Sequence, residues 1–223
     1  MIIGHKLTKE DKEKINSFTN KYYDLYPDYL QEEIDNKVML GFTNNNDTIN
    51  QIYCYLSIDD KDINPYLAFY NYLRSNFDLS KNILEVGSGT IPILVTYLNK
   101  DNVTLMDKNL IEAFYKDYNY IKETFNVDTN IDDYDLIIGY NPCQATESII
   151  RNAIQNNKNF SIALCGCCFL PNEYEERTSQ KWHEYLYNIA NELAKDNYEI
   201  KIDYFDDKLN IDYPIITGKK DGK

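Results

Sequence analysis

The chain has 223 residues, 43% of them hydrophobic, and a formal net charge of −13. That length and apolar share suffice for one large domain, or one domain with a helical attachment. The acid excess runs through both residues 1–80 (13 acids, 8 bases) and residues 81–223 (23 acids, 15 bases), which argues against a long basic groove for a phosphate backbone while leaving room for a local patch.

No run approaches the roughly 18 consecutive apolar residues of a membrane span. The stretch "MIIGHKLTKEDKEK" lacks the apolar centre of a signal peptide. A cytoplasmic protein with no membrane partner is expected. The five cysteines are Cys54, Cys143, Cys165, Cys167 and Cys168. An odd number with three crowded together suits reduced thiols better than a disulfide framework.

Residues 1–80 read as helices. Thr8 with Asp11 forms a capping box, and Ile15, Phe18, Tyr22 and Tyr26 follow at helical steps. Tyr29, Leu30, Ile34 and Val38 make a second stripe that stops at Gly41. Asp47 or Thr48 caps a third helix carrying Ile49, Ile52, Tyr53 and Leu56. Asn64 before Pro65 opens a fourth, with Leu67, Tyr70, Leu73 and Phe77 inward.

From residue 82 short apolar runs alternate with helical stretches. "NILEV" predicts a strand, "PILVTYLNK" a helix, "NVTLMD" a strand and "NLIEAFYKDYNYI" a helix. "YDLIIG", "ESIIRNAIQNN" and "FSIALCG" continue as strand, helix and strand. "QKWHEYLYNIANELAKD" is a helix with Trp182, Leu186, Ile189 and Leu193 on one side, and "YEIKIDYF" and "YPIITGK" are strands. The polar stretch at 120–132 leaves one strand poorly defined. Such alternation predicts βαβ units and an α/β fold with a largely parallel sheet, preceded by an N-terminal helical extension. The expected division is a helical cap at 1–80 and an α/β domain at 81–223.

"ILEVGSGTIP" joins the first strand to the next element. Gly87 and Gly89 permit a tight turn and the close approach of a ligand. Glu85 lies at the strand end, and Asp107 ends the next strand, where an acid can accept from ribose hydroxyls. A dinucleotide turn requires a third glycine where this chain has Pro92. An acid two residues before Gly-x-Gly is instead the pattern of class I S-adenosylmethionine (SAM) methyltransferases, which the chain resembles from about residue 65 onward. The resemblance implies a Rossmann-like, mostly parallel seven-stranded sheet with helices on both faces and an antiparallel last strand. It implies that Glu85, Gly87, Ser88 and Gly89 hold the methionine end of SAM, that Asp107 holds the ribose, and that Lys108 and Asn109 lie beside the adenosine. Ile91 stands where many members keep a third small residue.

"GYNPCQATES" follows the fourth strand, where open α/β sheets bind their ligands. It resembles three loops. One is the Pro-Cys-Gln loop of cytosine-carbon-5 DNA methyltransferases, whose thiolate attacks the base. A second is the Asn-Pro-Pro-aromatic loop of amide and amino methyltransferases, matched here by Asn141 and Pro142 alone. The third is the His-x-Cys-x-Ala-Thr-Asp loop, with a later Cys-Cys pair, of a branch that includes tRNA ribose methyltransferases. Its matches are Cys143, Ala145, Thr146 and Glu147, then Cys167 and Cys168, with Asn141 in place of the histidine. Asn141, Cys143 and Glu147 are thus the catalytic candidates, Asn141 also a cofactor contact, and Tyr140 and Glu147 the candidate bases.

Neighbouring fourth and fifth strands bring Cys143 towards Cys165–Cys168. The usual two C-x-x-C pairs of a four-thiol site are absent, so packed thiols are expected and no metal. His183 reads as a packing or surface residue. The expected activity is methyl transfer from SAM, leaving S-adenosylhomocysteine, to a small molecule or protein. A SAM-binding module without turnover and a tRNA ribose methyltransferase are the alternatives, the latter needing basic residues such as Lys108, Lys122 and Arg151.

Overall fold

The computed structural model describes residues 64–89, 92–110, 112–205 and 213–220, the side chains of 113 and 114 excepted. The three helices expected before residue 57, with the Thr8–Asp11 cap, Gly41 and Asp47, lie outside these residues. So do Cys54 and Ile91.

The described chain opens with α1 (Pro65–Asn76). The Asn64 side chain accepts from the backbone N–H groups of Tyr66 and Leu67, satisfying two of the helix's free donors. The inward residues are Phe69 and Leu73. Leu67, Tyr70 and Phe77, expected inward with Leu73, are only half-buried, because the buried stripe runs through Phe69, four residues before Leu73.

Seven strands follow: β1 (Ile83–Val86), β2 (Val103–Met106), β3 (Asn119–Ile121), β4 (Leu136–Tyr140), β5 (Asn159–Ala163), β6 (Tyr198–Tyr204) and β7 (Pro214–Lys220). They form one sheet in the order β3-β2-β1-β4-β5-β7-β6. Strands β1 to β5 pair in parallel, and β7 runs antiparallel to both β5 and β6. Among the described residues the α-helices after β1 are the single-turn α2 (Glu112–Tyr115), then α3 (Thr146–Gln155) and α4 (Ser179–Ala194).

Two expected elements differ. The run "PILVTYLNK" is not an α-helix but two single 3₁₀ turns at Leu94–Thr96 and Lys100–Asn102. Ile93, Leu94 and Val95 are all buried, and one face of an α-helix cannot bury three consecutive side chains. The helix expected across "NLIEAFYKDYNYI" is restricted to α2, and its tail becomes β3. As an edge strand whose residues are exposed or half-buried, β3 carries no alternating apolar signal.

Strand alternation divides the core between the sheet's faces. Ile83, Leu105 and Ile138 join Phe69 and Leu73 of α1 on one face. Leu84, Ile137 and Ile162 join Ile149 and Ile150 of α3 and Trp182 and Leu186 of α4 on the other. The α1 helix is therefore part of the sheet's own core, although it lies before residue 80. No helix among the described residues is long and apolar enough to cross a membrane.

Candidate functional site

The carboxyl ends of β1, β2, β4 and β5 meet along one edge of the sheet. Gly87 follows β1 with φ +73°, and its N–H donates to Met106 O at 2.8 Å, extending the β1–β2 ladder into the turn. Gly89, at φ +85°, donates its N–H to Asp107 Oδ2 at 3.0 Å. The other oxygen, Oδ1, accepts from Asn109 N at 2.7 Å. One carboxylate thus ties the glycine turn to the end of β2. Each of its oxygens keeps a further acceptor site. Lys108 and Asn109 beside it are exposed.

Glu85 is 1% exposed, and its Oε2 has no hydrogen-bond partner. In the sheet it sits opposite Leu105 on β2 and Ile138 on β4, so its neighbours on that face are apolar. Burial, and then the nearby charge of Asp107, push its carboxyl up to about 8. A buried carboxyl without a partner is costly, and it is held by taking up a proton or by receiving a donor or cation.

Tyr115 of α2 was not among the site residues expected from sequence. It is fully buried; its hydroxyl donates to Gly89 O at 2.7 Å and lies 3.0 Å from Ser88 Oγ. It braces the turn from the far side. Its place in an apolar helical run marks it only as core; the reach back to Ser88 and Gly89 depends on the fold.

After β4 the backbone turns sharply. Asn141 and Cys143 have φ +52° and +51°, on either side of the buried Pro142. Left-handed backbone costs a residue with a Cβ roughly 1–2 kcal/mol, least for Asn. The turn is secured at both ends: Asn141 N donates to Ala163 O at 2.9 Å, and Thr146 Oγ1 donates to Cys143 O at 2.8 Å. The Asn141 side chain is half-buried and makes no hydrogen bond among the described residues. Glu147, in the first turn of α3, is engaged: its Oε1 accepts from Arg151 Nε at 2.8 Å and from the Tyr185 hydroxyl at 3.3 Å.

Cys143 and the thiols beyond β5 do approach each other. The Sγ atoms of Cys143, Cys165 and Cys167 all lie within 4.8 Å of one another. Interaction with the neighbouring Cys143 thiol pulls Cys165 down to about 6, and the same interaction, with burial, pushes Cys143 up. His183 of α4 is half-buried, and its Nε2 lies 2.9 Å from Cys165 O; since a carbonyl only accepts, Nε2 carries the proton. Burial lowers the imidazole's pKa, outweighing that hydrogen bond.

Searches by family and among curated proteins return no match. Among solved structures the fold is similar to a precorrin-6y C5,15-methyltransferase from Geobacter metallireducens GS-15 (13% identity, 70% of this chain and 86% of that one, TM-score 0.43). It is also similar to a variant of MtNAS in complex with S-adenosylmethionine (11%, 96% and 80%, TM-score 0.48). A third is the 1,6-didemethyltoxoflavin-N1-methyltransferase of Burkholderia thailandensis, with bound 1,6-didemethyltoxoflavin and S-adenosylhomocysteine (11%, 87% and 90%, TM-score 0.45). The seven-stranded sheet with its antiparallel β7 is the Rossmann-like architecture that the resemblance to class I SAM methyltransferases implies.

Proposed function

We propose that the chain is a SAM-dependent methyltransferase whose acceptor is a small molecule or a protein. One observation carries the reading: Glu85 holds a buried carboxylate oxygen without a partner at the end of β1, beneath a turn whose Gly89 N–H is fastened to Asp107. That combination suits a ligand with a cation at one end and vicinal hydroxyls at the other. SAM, when bound, supplies a methyl group on a sulfonium, open to displacement by a nucleophile.

The chain's own residues then have separate tasks. Glu85 accepts from the ligand's ammonium, with Gly87, Ser88 and Gly89 around the methionine end. The free acceptor sites of Asp107 take the ribose hydroxyls, with Lys108 and Asn109 beside the adenosine. Asn141 offers its side-chain amide at the junction of cofactor and acceptor. Tyr140 and Glu147 are the candidate bases, and Cys143 shapes the pocket. Alignment of the two reactants is the main contribution, up to about 7–11 kcal/mol of the barrier. In this reading 81–223 forms the SAM-binding domain and 1–80 a helical cap, of which α1 is packed on the sheet.

The charge pattern supports the acceptor class. Of the three bases that an RNA substrate would recruit, Lys122 pairs with Glu112 at 3.3 Å and Arg151 with Glu147 at 2.8 Å. A second reading, SAM binding without turnover, draws on the same pairing, which occupies the Glu147 carboxylate, and on the raised Cys143 thiol.

Calorimetric titration with SAM and S-adenosylhomocysteine tests the proposal on wild type, Asp107→Ala and Glu85→Gln. Both ligands bind wild type, and both substitutions weaken them. At a hundredfold excess over Kd, ligand raises stability by about 2.7 kcal/mol. Well-folded protein that binds neither ligand rules the proposal out. Binding with no methyl transfer across acceptor screens selects the second reading.

A further inference from the structure

We infer that Cys143, Cys165 and Cys167 form a three-thiolate binding site for a thiophilic divalent metal ion, Zn²⁺ being the occupant their chemistry selects. The inference stands on the sulfur geometry and does not depend on SAM binding.

Their three Sγ atoms lie within 4.8 Å of one another. Zinc–sulfur bonds of about 2.3 Å at tetrahedral angles place sulfurs about 3.8 Å apart, so closure needs each pair to approach by at most about 1 Å. Spacing along the chain argued otherwise, because C-x-C-C alone makes a poor clamp. The fold changes that argument. Tyr140 of β4 is paired with Ala163 of β5, so Cys143, three residues beyond the first, and Cys165, two beyond the second, leave the same sheet edge side by side.

Several further features match what a metal site requires. Cys143 is held in a left-handed conformation, φ +51°, by the bond from Thr146 Oγ1 to its carbonyl. The Nε2–H of His183 holds the Cys165 carbonyl at 2.9 Å, a brace on the backbone of one ligand. Cys165 is buried, Cys143 half-buried and Cys167 exposed, which gives the ion a route in from solvent. Three soft ligands select zinc over magnesium or calcium, which take oxygen. Each sulfur loses its proton to solvent as its bond to the metal forms, and a fourth position stays open for water or a thiol, amine or carboxylate ligand.

The test uses full-length, metal-free, reduced protein titrated with Co²⁺, whose thiolate charge-transfer absorption reports sulfur ligation directly, followed by displacement with Zn²⁺. The expected result is one equivalent of Co²⁺ with that absorption, displaced by Zn²⁺. Affinity falls by about tenfold or more in Cys143→Ser, Cys165→Ser and Cys167→Ser, and is unchanged in Cys168→Ser. The exposed Cys167 guards against a folding artefact, since its substitution leaves the core intact; thermal melts of each apo variant check this. Absence of the charge-transfer absorption in wild type overturns the inference. So does metal uptake that survives Cys143→Ser in a folded protein, because the site then lies within Cys165–Cys168 or elsewhere.

Discussion

Pro142 fills the space that a side chain on Gly87 would take: a Cβ built on Gly87 stands 2.8 Å from Pro142 Cα. The same proline closes on Gly139, where a Cβ would lie 2.9 Å from Pro142 Cγ and 3.0 Å from Val86 O. The loop after β4 therefore packs directly on the glycine turn after β1. Gly87 serves first to admit Pro142, a close approach that the turn motif alone ascribes to a ligand.

Gly87→Ala is expected to destabilise the protein by more than the roughly 1–2 kcal/mol of left-handed backbone, because Pro142 backbone must also move. Gly139→Ala meets the flexible ring edge as well as Val86 O and costs less. Since both displace Pro142, the double variant should lose less than the summed single losses, with a coupling of about 0.5–3 kcal/mol. Urea unfolding of the four proteins measures this; strict additivity would show that the two glycines do not share Pro142.

The pH response of Glu85 gives a second prediction. Its folded pKa, about 8, is raised above the ordinary 4.5 by burial and by Asp107. The folded protein therefore binds the proton more tightly than the unfolded chain. The associated stability is complete below about pH 4.5 and is lost as pH rises towards 8, with a slope of at most about 1.4 kcal/mol per pH unit. Glu85→Gln flattens this slope in melts across that range. A ligand ammonium reverses the preference, so SAM binding should release a proton and tighten as pH rises towards 8. Equal binding heats in buffers of different ionisation enthalpy would remove Glu85 from the cofactor site.

Tyr115→Phe isolates the brace beneath the turn. It removes the hydrogen bond to Gly89 O at 2.7 Å, a cost of about 0.5–1.5 kcal/mol. SAM affinity should fall with it, since Ser88 and Gly89 lose their support. Unchanged stability and unchanged affinity together would reduce Tyr115 to ordinary core.

What the sequence made legible follows from how locally each signal is written. Strands such as Leu136–Tyr140, buried throughout, stand out as apolar runs, and α4 shows its stripe through Trp182, Leu186 and Ile189. Glu85 and Asp107 are readable because a strand end followed by glycines specifies their place. The stretch at 92–100 misleads because Ile93, Leu94 and Val95 are apolar without period, and β3 is obscured because an edge strand needs no buried face. Proximity of Cys143 to Cys165 follows from neighbouring strands. That three sulfurs converge within 4.8 Å depends on the left-handed turn at Cys143, which no spacing rule encodes.

Asn141 separates backbone from chemistry. Its φ of +52° suits glycine and is tolerated by asparagine, so Asn141→Gly preserves the turn, whereas Asn141→Ala costs about 1 kcal/mol more of stability. If the side-chain amide contacts SAM, as proposed, both variants lose affinity by on the order of tenfold, the equivalent of one hydrogen bond of about 1.4 kcal/mol. If the residue serves only the turn before Pro142, Asn141→Gly binds SAM like wild type and Asn141→Ala alone is weakened. Calorimetry on the two variants, with urea unfolding alongside, distinguishes a ligand contact from a conformational requirement. Retained affinity in Asn141→Gly would take Asn141 out of the binding site and leave its loop a packing element against Gly87.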